Sequence, residues 1–143
     1  MKYLFILLLF APIPEHTDLL RAIKQVESSG QKNVKDGDRG RSKGSYQIQR
    51  AYFKDAVEQC PELRIYKYED VRKDNVAVLI IRAYWKRYAT KEWLGHEPTD
   101  RDRARLHNGG CHARRFQNKK KEATLVKYWA KVKAILDKKK LAK

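Results

Sequence analysis

Val71-Arg72-Lys73-Asp74-Asn75-Val76-Ala77-Val78-Leu79-Ile80-Ile81-Arg82-Ala83-Tyr84-Trp85-Lys86-Arg87-Tyr88 is apolar on nearly every face when wound as an α-helix. Val76, Val78, Leu79, Ile80, Ile81, Ala83, Tyr84 and Trp85 leave no broad polar stripe. A surface helix keeps one face polar, so this segment belongs at the centre of a helical protein, covered on most sides. The cover must come from the rest of a 143-residue chain. That length suits one domain with one core and is short for two.

The flanking sequence supplies the cover. Leu19, Leu20, Ile23 and Val26 fall on one helical face, with Thr17 placed to cap that helix and Asp18 in its first turn. Ser28-Ser29-Gly30 stops it. A second helix is expected over 49–59, with Tyr52, Phe53, Ala56 and Val57 inward and Pro61 as its stop. Thr99 and Asp102 read as a capping box for a helix that stops at Asn108-Gly109-Gly110. A last helix is expected to begin near Glu122-Ala123-Thr124 and to end at Lys138-Lys139-Lys140. Leu125, Tyr128, Trp129, Val132 and Ile135 form its apolar face. Residues 31–45 lack apolar periodicity and carry Gly37, Gly40 and Gly44, which reads as a loop or a short hairpin. The sum is mainly α, with about five helices around a central one and at most a small β-hairpin.

Charge is the second constraint. The chain holds 33 basic and 17 acidic residues, a net +16. Residues 101–143 carry 15 of the basic and 3 of the acidic residues. Such a field favours a polyanionic partner, and charge alone does not choose between nucleic acid, an anionic membrane and the bacterial envelope. No recognised nucleic-acid module organises the basic residues, so no specific nucleic acid is expected as a partner. The lysines opposite the apolar face of the last helix also suit a non-catalytic cationic protein that disrupts membranes.

Met1-Lys2 precedes the apolar run Tyr3–Ala11, too short to span a membrane and suited to a signal-peptide core. Pro12 weakens the cleavage site. We therefore expect residues 1–14 to be a signal peptide or N-terminal anchor, 15–137 the folded domain and 138–143 a basic tail. Export is the expectation. Cys60 and Cys111 either form one bridge or stand as two buried thiols. His107, Cys111 and His112 lack the spacing of a structural zinc site, and neither metal nor cofactor is expected.

The chemistry concentrates in Gln25–Gln49, QVESSGQKNVKDGDRGRSKGSYQIQ. Glu27 sits at the end of the first helix, at the margin of its apolar stripe. Glycosidic-bond cleavage needs two carboxyl groups in different environments. One keeps its proton for the leaving oxygen, and burial beside apolar side chains favours that form. The other stays ionised, and Arg39, Arg41 and Lys43 around Asp38 favour that form. Glu27 is thus the candidate acid and Asp38 the candidate nucleophile or electrostatic stabiliser, with Asp36 competing for the second role. Tyr46 and Gln47 suit a sugar cleft by their aromatic face and amide, although Tyr46 suits the core as well. His107 and Asn108, before a double glycine, suit either substrate binding or a helix end.

Five motifs in register resemble the invertebrate-type lysozymes of the destabilase family. They are Glu27-Ser28-Ser29-Gly30; Asp38-Arg39-Gly40; Gly44-Ser45-Tyr46-Gln47-Ile48 with Ala51-Tyr52-Phe53-Lys54-Asp55; Arg82–Ala89; and Ala104-Arg105-Leu106-His107-Asn108-Gly109-Gly110, with Tyr128-Trp129 following. The resemblance covers roughly residues 19–135. It implies a lysozyme-like fold and hydrolysis of β-1,4 bonds in peptidoglycan glycan strands by Glu27 and Asp38. A monomer is expected, drawn also to anionic cell-wall polymers. Members of that family are usually rich in disulfides, and this chain has two cysteines. Some also cleave isopeptide bonds with a serine and a lysine, which the quoted motifs do not locate. Lytic transglycosylases share the fold superfamily and would use Glu27 alone, without Asp38.

Overall fold

The computed structural model describes residues 16–31, 33–113 and 118–142. The expected leader at 1–14 therefore lies outside the described residues. The described chain is mainly helical, with one two-stranded antiparallel sheet. In chain order come α1 (Thr17–Ser28), β1 (Ser42–Lys43), β2 (Ile48–Gln49), α2 (Arg50–Gln59), α3 (Asp74–Tyr88), α4 (Lys91–Leu94), α5 (Asp100–Gly109) and α6 (Lys119–Leu141). Short 3-10 turns fill Asp38–Gly40, Pro61–Ile65 and Tyr68–Arg72.

The central helix is α3, as its apolar circumference demands. Val76, Ala77, Ile80, Ile81, Ala83, Tyr84, Trp85 and Tyr88 are all buried on it. It packs against α2 and α5, while α6 lies across α1 and α5. Leu19, Ile23, Leu106, Leu125 and Val132 complete a single core and are each at most 2% exposed. Lys24 Nζ donates to Asp74 Oδ2 at 2.5 Å, and buried Ser45 donates to Oδ1 of the same carboxylate. That carboxylate ties α1 and the β1–β2 loop to the start of α3.

Several boundaries differ from expectation. Thr17 is inside α1, and His16 precedes it in the left-handed region. α3 begins at Asp74 rather than Val71, because Asp70 accepts from the Lys67 amide at 2.8 Å and closes a 3-10 turn first. Pro61 opens a 3-10 turn as well as ending α2. The short helix α4 was not anticipated; Thr90 caps it by accepting from the Trp93 amide at 3.2 Å. The last helix starts three residues early, since Asn118 Oδ1 accepts from the amides of Lys120 and Lys121. It also runs through the lysines to Leu141. Lys139 pairs with Asp18 on α1, so the basic tail is the docked end of a helix rather than a frayed appendage.

The hairpin sits directly after Asp38. Ser42 pairs with Gln49 and Lys43 with Ile48, and a further bridge joins Gly37 to Ser42. Cys60 and Cys111 are both free thiols.

Candidate active site

Glu27 occupies the last turn of α1, with its side chain 16% exposed. Leu19, Leu20 and Ile23 bury the inner face of α1 against α6 and the core, so the residues at that face's margin look into a partly sheltered space. Tyr128 reaches it from the inner face of α6 and donates its hydroxyl to Glu27 Oε1 at 2.8 Å. Burial, and then the Glu27 charge, raise the Tyr128 phenol well above its ordinary range. It therefore stays protonated and remains a donor.

His107 lies behind this pair on α5. Its Nε2 is 3.0 Å from the Tyr46 carbonyl and 3.8 Å from Glu27 Oε1. A carbonyl only accepts, so Nε2 carries the hydrogen and Nδ1 accepts from the Tyr52 hydroxyl at 3.4 Å. Burial lowers the affinity of His107 for a second proton; Glu27 and the Tyr46 carbonyl act in the opposite sense. The imidazole is thus neutral near pH 7 and has no free nitrogen. It braces the Tyr46 turn beside Glu27, and the ring also lines the cleft where sugar contact is expected.

Asp38 lines the same cleft as Glu27, a space of about 420 Å³. Its side chain is 45% exposed and accepts from Arg41 at 2.9 Å. Asp38, Arg39 and Gly40 are three successive left-handed residues, with φ of 49°, 58° and 85°. Non-glycine residues held in that region store on the order of 1–3 kcal/mol each and cluster at functional sites. Asp36 is drawn away: Arg72 grips both of its oxygens at 2.5 and 2.7 Å. Those bonds hold its carboxyl below the usual carboxylate range. Of the two acids in competition, Asp36 is thus engaged by Arg72 while Asp38 lines the cleft.

Gln47 and Asn108 also line the cleft, but differently. Gln47 has a left-handed backbone and donates its amide to the Gly44 carbonyl at 2.8 Å, bracing its own loop. Asn108 is exposed. Tyr46 is 4% exposed within the core and does not line the cleft, so its expected contact with sugar is corrected. Burial pushes its phenol up to about 12. Its contribution is the backbone carbonyl on His107.

Three features escaped the sequence reading. Tyr52 and Tyr84 stack at 3.6 Å between ring centres and form part of the cleft wall. Asp55 is a third carboxylate of the cleft, but its oxygens face the Tyr88 hydroxyl at 3.0 Å and Arg87 at 3.7 Å. Tyr128 was legible as an inward aromatic of the last helix and as part of the Tyr-Trp motif, but not as a partner of Glu27. Among the described residues, no group of three or more metal-ligating side chains converges.

With this geometry established, comparison with known proteins adds one match. A family model described as Destabilase matches residues 16–135, most of the chain. No curated protein matches the chain.

Proposed function

The chain belongs to the Destabilase family, a lysozyme-like family, and from that premise we propose that it is a muramidase hydrolysing the β-1,4 bonds of bacterial peptidoglycan. The observation that carries this reading is one cleft holding a sheltered Glu27 and a water-exposed Asp38. The difference in exposure supports this division of roles, since glycosidases need one carboxyl group as proton donor and another as anion.

Tyr128 engages Glu27 Oε1, so Oε2 is the oxygen that carries and delivers the proton. The glycosidic oxygen takes that proton as its bond to the sugar carbon breaks. Asp38 faces the positive charge that develops on the sugar, as nucleophile or as stabilising anion. Water then adds to the sugar carbon and returns a proton to Glu27. Asn108 supplies an exposed amide for the glycan, and the stacked, buried Tyr52–Tyr84 pair stiffens the wall behind it.

The substrate lies outside the cytoplasm, which agrees with the leader expected at 1–14. The charge adds a second element. On α6, Lys120, Lys127, Lys131 and Lys138 fall within one stripe of the helix face, about 27 Å long at 1.5 Å per residue. None has a carboxylate partner among the described residues, whereas Lys133 pairs with Asp137 and Lys139 with Asp18. The stripe suits long-range attraction to anionic wall polymers.

Digestion of purified peptidoglycan tests the reaction. The proposal expects new reducing ends. Products ending in 1,6-anhydro sugars would replace it with lytic transglycosylation.

A further inference from the structure

A second pocket, about 440 Å³, opens beside the hairpin and is lined by Gly40, Arg41, Lys43, Gln49, Arg50, Ala51 and Tyr68. Gln49 and Ala51 line the catalytic cleft too, so the two spaces share a wall. Three of the seven lining side chains are cations, and their partners can be traced one by one. Arg41 pairs with Asp38 at 2.9 Å. Lys43 pairs with Glu69 at 2.8 Å and faces Asp36 at 3.7 Å. Arg72 grips Asp36 and reaches Glu69 at 3.3 Å. Three carboxylates are thereby matched by Arg41, Lys43 and Arg72. Arg50 is left over: it has no ion pair among the described residues, and its guanidinium lies 4.6 Å from the centre of the Tyr68 ring.

That stacking does two things. It holds the guanidinium over a buried ring whose own hydroxyl is fixed, 2.8 Å from the carbonyls of both Arg41 and Ile48. It also takes up the aromatic surface that a neutral sugar would stack upon, together with Lys43 at 5.4 Å. The pocket presents an unneutralised, oriented cation instead of an open aromatic face. A planar guanidinium fork matches a carboxylate.

We propose that this pocket binds a carboxylate of the acidic peptide attached to the muramic sugar of the glycan, with Arg50 as the residue that recognises it. The inference rests on the muramidase reading, because it names which part of that substrate enters the pocket. It makes the enzyme prefer glycan that still carries acidic peptides.

The test is calorimetric binding of two soluble peptidoglycan fragments to the full-length protein at low salt. One is a disaccharide–peptide with free carboxylates; the other is the same fragment with those carboxylates amidated. The acidic form is expected to bind about three- to fivefold more tightly, the scale of one partly exposed charge pair. In Arg50→Gln that ratio should fall to near one, and Arg50→Lys should recover part of it. An equal ratio in wild type and Arg50→Gln, or no preference in the wild type, overturns the proposal. Wall digestion run in parallel separates the two ideas. A preference without digestion sinks the muramidase reading and keeps the pocket; digestion without preference does the reverse.

Discussion

Tyr128 and Glu27 are 101 residues apart in sequence and one hydrogen bond apart in space. Replacing Tyr128 by Phe keeps the ring in its packing and removes only the donor. A neutral-to-charged hydrogen bond of this kind contributes on the order of 1.5 kcal/mol, so kcat should fall about tenfold with KM little changed. Steady-state kinetics on wall fragments measure this, and an unchanged kcat would show that Glu27 needs no such anchor. His107 makes a different prediction. Its folded form resists protonation, facing Glu27, the Tyr46 carbonyl and Tyr52, while the unfolded chain takes up a proton below about pH 6.5. Its contribution to stability is thus complete above that pH and is lost as pH falls. One such group contributes a slope of at most about 1.4 kcal/mol per pH unit. Urea unfolding at pH 7.5 and 5.5 should show a smaller pH effect in His107→Gln than in wild type. Glu27 was singled out by its place at a helix end and by its motif, and it does line the cleft. Asp38 was preferred to Asp36 by its Asp-Arg-Gly motif, since both lie among arginines and lysines. Periodicity and charge could not reveal that Arg72, 36 residues further along, reaches back to Asp36.

The hairpin is the element on which the cleft depends. Gly44 turns it with φ of +74°, and a Cβ there would meet the Val71 carbonyl at 2.6 Å and Arg72 Cα at 3.0 Å. Both obstacles are backbone, so neither can swing away. Gly44→Ala should cost at least the 1–2 kcal/mol of left-handed strain and also displace the loop that carries Tyr46 and Gln47. Thermal unfolding and wall clearing should fall together; a variant with normal stability would mean that the loop is not braced there. The helices themselves were legible because α1, α3 and α5 bury apolar side chains at helical spacing. Their ends were less so. Asn118 caps α6 from four residues before the expected start at Glu122, and Lys139 docks on Asp18 from a segment that reads as a basic tail. Both depend on partners that periodicity does not reveal. The same holds for Tyr46, whose alternation-free context suits core and cleft equally; packing around Ile48 and Tyr52 decides for the core.

For the molecule as a whole, a net charge of +16 outweighs any single ion pair. Clearing of intact walls should weaken as salt rises from about 0.05 to 0.3 M, because screening shortens the reach of the field to below about 10 Å. Replacing Lys120, Lys127, Lys131 and Lys138 by Gln should flatten that dependence. A salt profile identical to wild type would mean that the stripe plays no part in wall attraction. The total charge was plain from composition, but which lysines stand unpaired was not, since Lys133 and Lys139 look the same as their neighbours in sequence. The central claim remains that Glu27 donates a proton to a glycosidic oxygen. Release of reducing ends from purified peptidoglycan by wild type and by a folded Glu27→Gln variant tests it most directly. The account predicts a loss of about 10²-fold or more, the scale of general acid catalysis. Release by Glu27→Gln at the wild-type rate would contradict it.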